Sequence, residues 1–191
     1  MYKRLSSRLA QKLNKAYGNL LYYRIVRMNQ SHGLDALFDI ELRTESSINV
    51  FFDVGANIGQ SAKVYARRNP KSQNYCFEPV ADTFKKLQQN LLNKRNFHCF
   101  NSAMGSCKMT AIIQLQRNSL ENTLVNYETS EILESGSAQS ETIEVVTISD
   151  FCQEHKIGQI DFLKIDTEGY DLEVLKGADP LLREHRITYI Q

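Results

Sequence analysis

The chain has 191 residues, of which 42% are hydrophobic and 24% charged, with only 3 Pro and 9 Gly. Against a typical domain of roughly 150 residues this is one soluble globular domain with some chain to spare, and disordered, collagenous and repeat architectures are excluded. Net charge is +1, from 23 Lys and Arg against 22 Asp and Glu, which gives no general attraction to a polyanion, so no nucleic-acid partner is expected.

The charge is unevenly spread. Lys3, Arg4, Arg8, Lys12, Lys15, Arg24 and Arg27 precede the first acid, Asp35, so the segment to Gly33 carries +7. The remainder, 16 basic against 22 acidic residues, carries −6. Leu5, Leu9, Leu13, Ala16 and Leu20 recur every three or four residues, which predicts an amphipathic helix. Three uses of it stay open: packing on the domain, peripheral contact of residues 1–27 with an anionic membrane, or targeting. Residues 1–47 are therefore read as a basic helical extension and 48–191 as the folded domain. No apolar run approaches the ~20 residues of a spanning helix and no signal-peptide core is present, so a cytoplasmic location is expected.

From Ile48 onward, short apolar runs alternate with helical periodicity, the pattern of a parallel sheet covered by helices. Residues 48–54, INVFFDV, read as a central strand buried on both faces. GANIGQ follows, then a helix carrying Ala62, Tyr65 and Ala66 that ends before Pro70. A second strand covers 73–79 and stops at Pro79. Asp82 is the expected N-cap of the next helix, whose Phe84, Leu87 and Leu91 share a face. Residues 97–105 read as a third strand and turn. Runs at 110–116 and 142–148 read as strands bracketing a polar stretch, Arg117 to Glu141, either a lid-like excursion or a solvated loop. Residues 160–166 form the next buried strand, YDLEVLKG a helix closed by Gly177, and ITYIQ begins one more strand. The succession is a doubly wound α/β sheet, whose site is built from the loops after Val54, Phe77, Phe100 and Ile165.

Cys76, Cys99, Cys107 and Cys152 form no C-x-x-C pair, and His32, His98, His155 and His185 lack metal-ligand spacing, so no resident metal is expected. DVGANIG places Asp53 at a strand end, with Gly55 and Gly59 in a turn that opens a helix; such glycines serve close approach of a ligand or tight packing. The spacing is not the G-x-G-x-x-G of dinucleotide enzymes. Glu78 ends the second strand 19 residues beyond Gly59, where a carboxylate can accept from both hydroxyls of a ribose, and Pro79 holds its backbone extended. Together these features point to an adenosine-type cofactor. Asp166 and Glu168 follow the apolar strand 160–166 and project toward the same cleft; Asp166 or Thr167 could also cap the next helix. Lys164, inside that strand, needs a neighbouring carboxylate as its ion-pair partner.

In this order, FFDVGANIGQ, CFEPV, NSAMG and IDFLKIDTEGYDLEVLKGA resemble the FkbM-type family of S-adenosylmethionine-dependent methyltransferases over about residues 48–191. The resemblance implies the class I methyltransferase (Rossmann-like) fold, S-adenosyl-L-methionine as cofactor, and O-methylation of a hydroxyl on a sugar, glycan or natural-product-like small molecule. By position it implies that Asp53, Gly55, Ala56, Asn57 and Gly59 line the methionine end of the cofactor. It puts Glu78, followed by Pro79, on the ribose and Asn101 and Ser102 near the adenine. Asp166, Thr167 and Glu168 would face the transferred methyl and the acceptor, with Asp166 and Glu168 as catalytic carboxylates. Asp171 stands where many relatives have Glu. Sheets of this class usually run on past a fifth strand, so the fold reads as lacking its last strands, with an edge at 187–191 that is exposed or covered by self-association. The competing readings are a nicotinamide-dependent oxidoreductase, a nucleic-acid methyltransferase and a non-catalytic remnant of the fold.

Overall fold

The computed structural model describes residues 48–92, 94–115, 123–125 and 139–191. The basic extension 1–47, with its membrane and targeting readings, lies outside the described residues, as does most of the polar stretch from Arg117.

Five parallel strands make the main sheet: β1 (Val50–Val54), β2 (Gln73–Phe77), β3 (Phe97–Phe100), β8 (Ile160–Ile165) and β9 (Ile187–Ile190), in the order β3-β2-β1-β8-β9. β1 is central because it can be: Phe51, Phe52, Asp53 and Val54 are all buried, so neither face needs water. On one face α1 (Gln60–Arg68) lays Tyr65 against Phe51 and Phe162, with ring centroids 4.5 and 5.3 Å apart. On the other, Phe151 of α3 (Ile148–Glu154) stands edge-on to Phe52, Phe77 and Phe100. The chain runs outward from β1 to β3 and then returns to the far side of β1. Its order therefore reverses between β1 and β8, which opens a crevice at their carboxyl ends.

A second sheet interrupts this pattern. β4 (Ala103–Met104), β5 (Met109–Leu115), β6 (Thr123–Val125) and β7 (Gln139–Val146) run in the order β4-β7-β5-β6, with β5 antiparallel to both of its neighbours. β7 alternates as a half-buried strand should, Ile143 and Val145 inside, Thr142 and Glu144 outside. Val80, Ala103, Ala111, Ile113, Ile143 and Val145 form its small core. The stretch expected as one excursion thus contains β6 and the start of β7.

Several local expectations are corrected. The third strand breaks at Asn101 and Ser102, because β3 belongs to the main sheet and β4 to the second. Ile148 opens α3 instead of ending a strand: the Thr147 side chain accepts from the Asp150 N–H at 2.9 Å and starts a helix there. Asp82 does not cap α2 (Ala81–Leu91). Val80 occupies the cap position, and the Ala81 N–H donates to Glu141 Oε1 of β7 at 2.9 Å. Neither Asp166 nor Thr167 caps α4 (Asp171–Gly177), whose N-cap is Tyr170. Gly177 is its last helical residue and serves packing, since a Cβ there would lie 2.0 Å from the Gly105 carbonyl oxygen. α5 (Asp179–Arg183) then leads to β9, the last strand in the sheet order, where Ile190 is half exposed. Among the described residues no helix is long and apolar enough to cross a membrane.

Candidate functional site

The loop after β1 passes over the end of β2, where the Gly55 and Ala56 N–H groups both donate to the Phe77 carbonyl at 3.1 and 2.9 Å. Gly55 has φ +75°, and a Cβ would sit 2.0 Å from the Asp166 carbonyl oxygen, so any side chain there meets backbone that cannot yield. Gly59, at φ +86°, begins α1 close against Leu87 of α2. Both glycines therefore serve close approach of chain to chain. Asn57 between them is left-handed at φ 48°, a conformation its short amide tolerates well.

That turn aims the Asn57 N–H at Glu78. Glu78 Oε2 accepts from it at 3.0 Å while Oε1 accepts from the Val80 N–H at 3.1 Å. The carboxylate is thereby clamped between the two loops, with lone pairs to spare on each oxygen. Burial is the dominant influence on it and pushes its pKa up to about 7, against the lowering effect of the two N–H groups. Asn101 steadies the strand end from behind: its Nδ2 donates to the carbonyls of Glu78 and Pro79 at 3.0 and 2.8 Å.

At the opposite side, the Asp166 N–H donates to the Val54 carbonyl at 3.0 Å, which keeps β8 beside β1 for one residue beyond their paired strands. Glu168 follows at φ 51°, uncommon for a long side chain, and Gly169 at +100° completes the turn. Asp171 Oδ1 accepts from both the N–H and the hydroxyl of Thr167, so its role is to close this loop. Lys164 finds the carboxylate partner expected of it, and finds two. Its Nζ lies 3.3 Å from Asp53 Oδ1 and 3.1 Å from Asp166 Oδ2. Asp53 is wholly buried, and neither of its oxygens has a well-directed hydrogen bond. Burial raises its pKa to about 6 even though the Lys164 charge pulls it down.

Between these two ends lies an open cleft. It brings together Gly55, Asn57, Glu78, Pro79, Ser102, Asp166, Thr167 and Glu168 from the expected set. Asp53, Ala56, Gly59 and Asn101 stand behind its wall and support residues that line it. Sequence reasoning missed the apolar side: Phe77, Val80, Ala103, Met104 and Ile113 also face the cleft. The NSAMG run after β3 hinted at Ala103 and Met104, but Ile113 arrives from the second sheet and had no local signal. Among the described residues, the lining carries three carboxylates, Glu78, Asp166 and Glu168, and no Lys, Arg or His. Among the described residues no three His, Cys, Asp or Glu converge on a cation-sized site.

The sequence matches the family model for the methyltransferase FkbM domain over residues 53–191. Among curated proteins, methyltransferase sdnD of Sordaria araneosa is 31% identical over 156 residues, 66% of this chain and 59% of that protein. Hexuronic acid methyltransferase AglP of Haloferax volcanii is 25% identical over 173 residues, 87% of this chain and 65% of that one. The 2-O-methyltransferase NoeI of Sinorhizobium fredii is 25% identical over 162 residues, 74% and 62% respectively. The chain thus spans about three fifths of the length of these relatives. With the parallel sheet, the switch-point cleft and the matched motifs in one place, the chain belongs to the FkbM methyltransferase family.

Proposed function

We propose that the domain is an S-adenosyl-L-methionine-dependent O-methyltransferase, acting in the cytoplasm on a hydroxyl of a sugar, glycan or natural-product-like small molecule. The observation that carries this reading is the composition of the cleft, which among the described residues has three carboxylates and no basic side chain beside an apolar wall. A cleft of that kind suits a cationic ligand with a flat aromatic base. The turn between β1 and α1 is G-x-x-x-G and lacks the G-x-G-x-x-G spacing that brings a dinucleotide's pyrophosphate onto a helix N-terminus. The relatives named for hexuronic acid and 2-O methylation support a sugar hydroxyl as acceptor. Free Cys76, Cys99, Cys107 and Cys152 accord with a reducing compartment.

When bound, the cofactor supplies a methyl group on a sulfonium, which an oxygen nucleophile displaces in line. The chain's own part is orientation and proton removal. Glu78 takes the ribose hydroxyls on the lone pairs that the Asn57 and Val80 N–H groups leave free. Phe77, Val80, Met104 and Ile113 exclude water from the base. Asp166 and Glu168, at the other end, deal with the acceptor's proton, one as base and the other as its orienting partner. Thermal shift with S-adenosylmethionine, S-adenosylhomocysteine and NAD tests the reading. A ligand at 100 times its dissociation constant stabilises by ~2.7 kcal/mol. Stabilisation by NAD alone would overturn the proposal in favour of an oxidoreductase. Stabilisation by S-adenosylmethionine without methyl transfer to any of a panel of hydroxyl acceptors would favour a non-catalytic fold.

A further inference from the structure

Beneath the cleft floor runs a chain of charge that the reaction as described does not use. In the sheet register Lys164 of β8 stands opposite Asp53 of β1, so both side chains leave the same face. The Lys164 side chain is 11% exposed, Asp53 is fully buried, and Asp166 is 62% exposed. One nearly buried ammonium therefore joins a carboxylate that never meets solvent to one that lines the cleft. Charge balance alone would be met by Asp53. The second contact, 3.1 Å to Asp166 Oδ2, uses another of the three ammonium donors on a carboxylate that water could otherwise solvate.

We propose that Lys164 is a positioning residue that fixes the Asp166 carboxylate by Oδ2 and presents Oδ1 to the cationic amino end of the cofactor. The main chain of Asp166 is already held, by its N–H on the Val54 carbonyl and by the backbone of Gly55 packed on its own carbonyl. Lys164 removes the remaining freedom, that of the side chain. Oδ1 has no hydrogen-bond partner among the described residues, and Asp166 is one of the residues that line the cleft. A carboxylate held on one oxygen by an ammonium keeps its other oxygen as a hydrogen-bond acceptor for a second cation. Asp166 then orients the cofactor instead of the acceptor, and Glu168, which has no ion-pair partner among the described residues, is the carboxylate that takes the acceptor's proton. This inference rests on the cofactor reading given above.

The test separates positioning from mere support of the fold. Lys164→Met alone leaves Asp53 as an uncompensated buried charge, so the variant of choice is the double Asp53→Asn/Lys164→Met, which removes both charges together. Asp166→Asn, at an exposed side chain, provides a second variant that keeps both Asp53 and Lys164 in place. Calorimetric titration uses S-adenosylhomocysteine, which keeps the amino end, and adenosine, which lacks it. Both variants are expected to bind S-adenosylhomocysteine about tenfold more weakly, to bind adenosine as the parent does, and to show no further loss when combined. Parental affinity for S-adenosylhomocysteine in either variant, or a parallel loss for adenosine, would overturn the role of Lys164. Failure of the parent protein to bind S-adenosylhomocysteine at all would overturn the cofactor reading instead.

Discussion

Glu78 offers a quantitative handle on the cleft because its ionisation and its proposed task are linked. Burial pushes its pKa up to about 7. Accepting hydrogen bonds from two ribose hydroxyls requires the carboxylate, so the apparent dissociation constant scales as one plus ten raised to the difference between pKa and pH. Going from pH 8 to pH 6 should therefore weaken S-adenosylhomocysteine binding by about tenfold, or ~1.4 kcal/mol. Glu78→Gln keeps the shape but cannot offer two anionic oxygens. It should bind roughly ten- to a hundredfold more weakly at pH 8, as expected for lost hydrogen bonds to a charged group, and with a flatter pH profile. The assay is isothermal titration calorimetry at pH 6, 7 and 8 in buffers of different ionisation heat, which also counts the proton released near pH 7. Subtracting the variant's profile from the parent's cancels the titration of the ligand's own amino group. If the two profiles had the same slope, the assignment of Glu78 to the ribose would be refuted.

The same burial acts on folding. Asp53 and Glu78 have pKa values raised to about 6 and about 7, so their contribution to stability is present at low pH and is lost as pH rises through those values. Urea melts of the unliganded protein should show Glu78→Gln gaining on the parent between pH 5 and pH 8. Gly55→Ala combines a left-handed φ with a 2.0 Å clash against backbone, and should cost more than about 2 kcal/mol and abolish cofactor binding; a melt within 0.5 kcal/mol of the parent would contradict the close approach described here. Asp166→Asn should slow methyl transfer by more than about threefold with any acceptor found, measured with radiolabelled S-adenosylmethionine. β9 ends the sheet order with Ile190 half exposed. Sedimentation of the 191-residue chain is expected to show concentration-dependent self-association that Ile190→Lys suppresses, and a parent monomeric at all concentrations would reject this.

The legible parts of the fold were those in which one physical cause acted locally. β1 and β8 are buried on both faces, so their sequences are nearly continuous apolar runs, and the Gly55 turn and Glu78 fall at their expected strand ends. An ion pair for Lys164 followed from the cost of burying an ammonium, but its two partners depended on a strand register that pairs residue 164 with residue 53. The second sheet was hard to see because its register, Met109 opposite Val145, is set by partners far apart in the chain. α3 was readable after all: TISD carries a Thr cap with an acid three residues on, and the preceding apolar run masked it. Ile113 and the Glu141 cap are long-range contributions to the site, invisible to any window of sequence.

The hydrogen bond from the Ala81 N–H to Glu141 bears on the order in which the molecule is completed during synthesis. Pro79 and Val80, which wall the cleft, lead directly into α2, whose first N–H is satisfied by an acceptor 60 residues later. A nascent chain made at about 5–20 residues per second therefore waits several seconds between making the helix and making its cap. Until β7 emerges, the main sheet has β1, β2 and β3 but an unfastened wall, and β8, which carries the opposite end of the cleft, comes later still. The ligand pocket thus becomes whole only after residues 166–168 emerge, so a shorter nascent chain on the ribosome has no formed site with which to capture the cofactor.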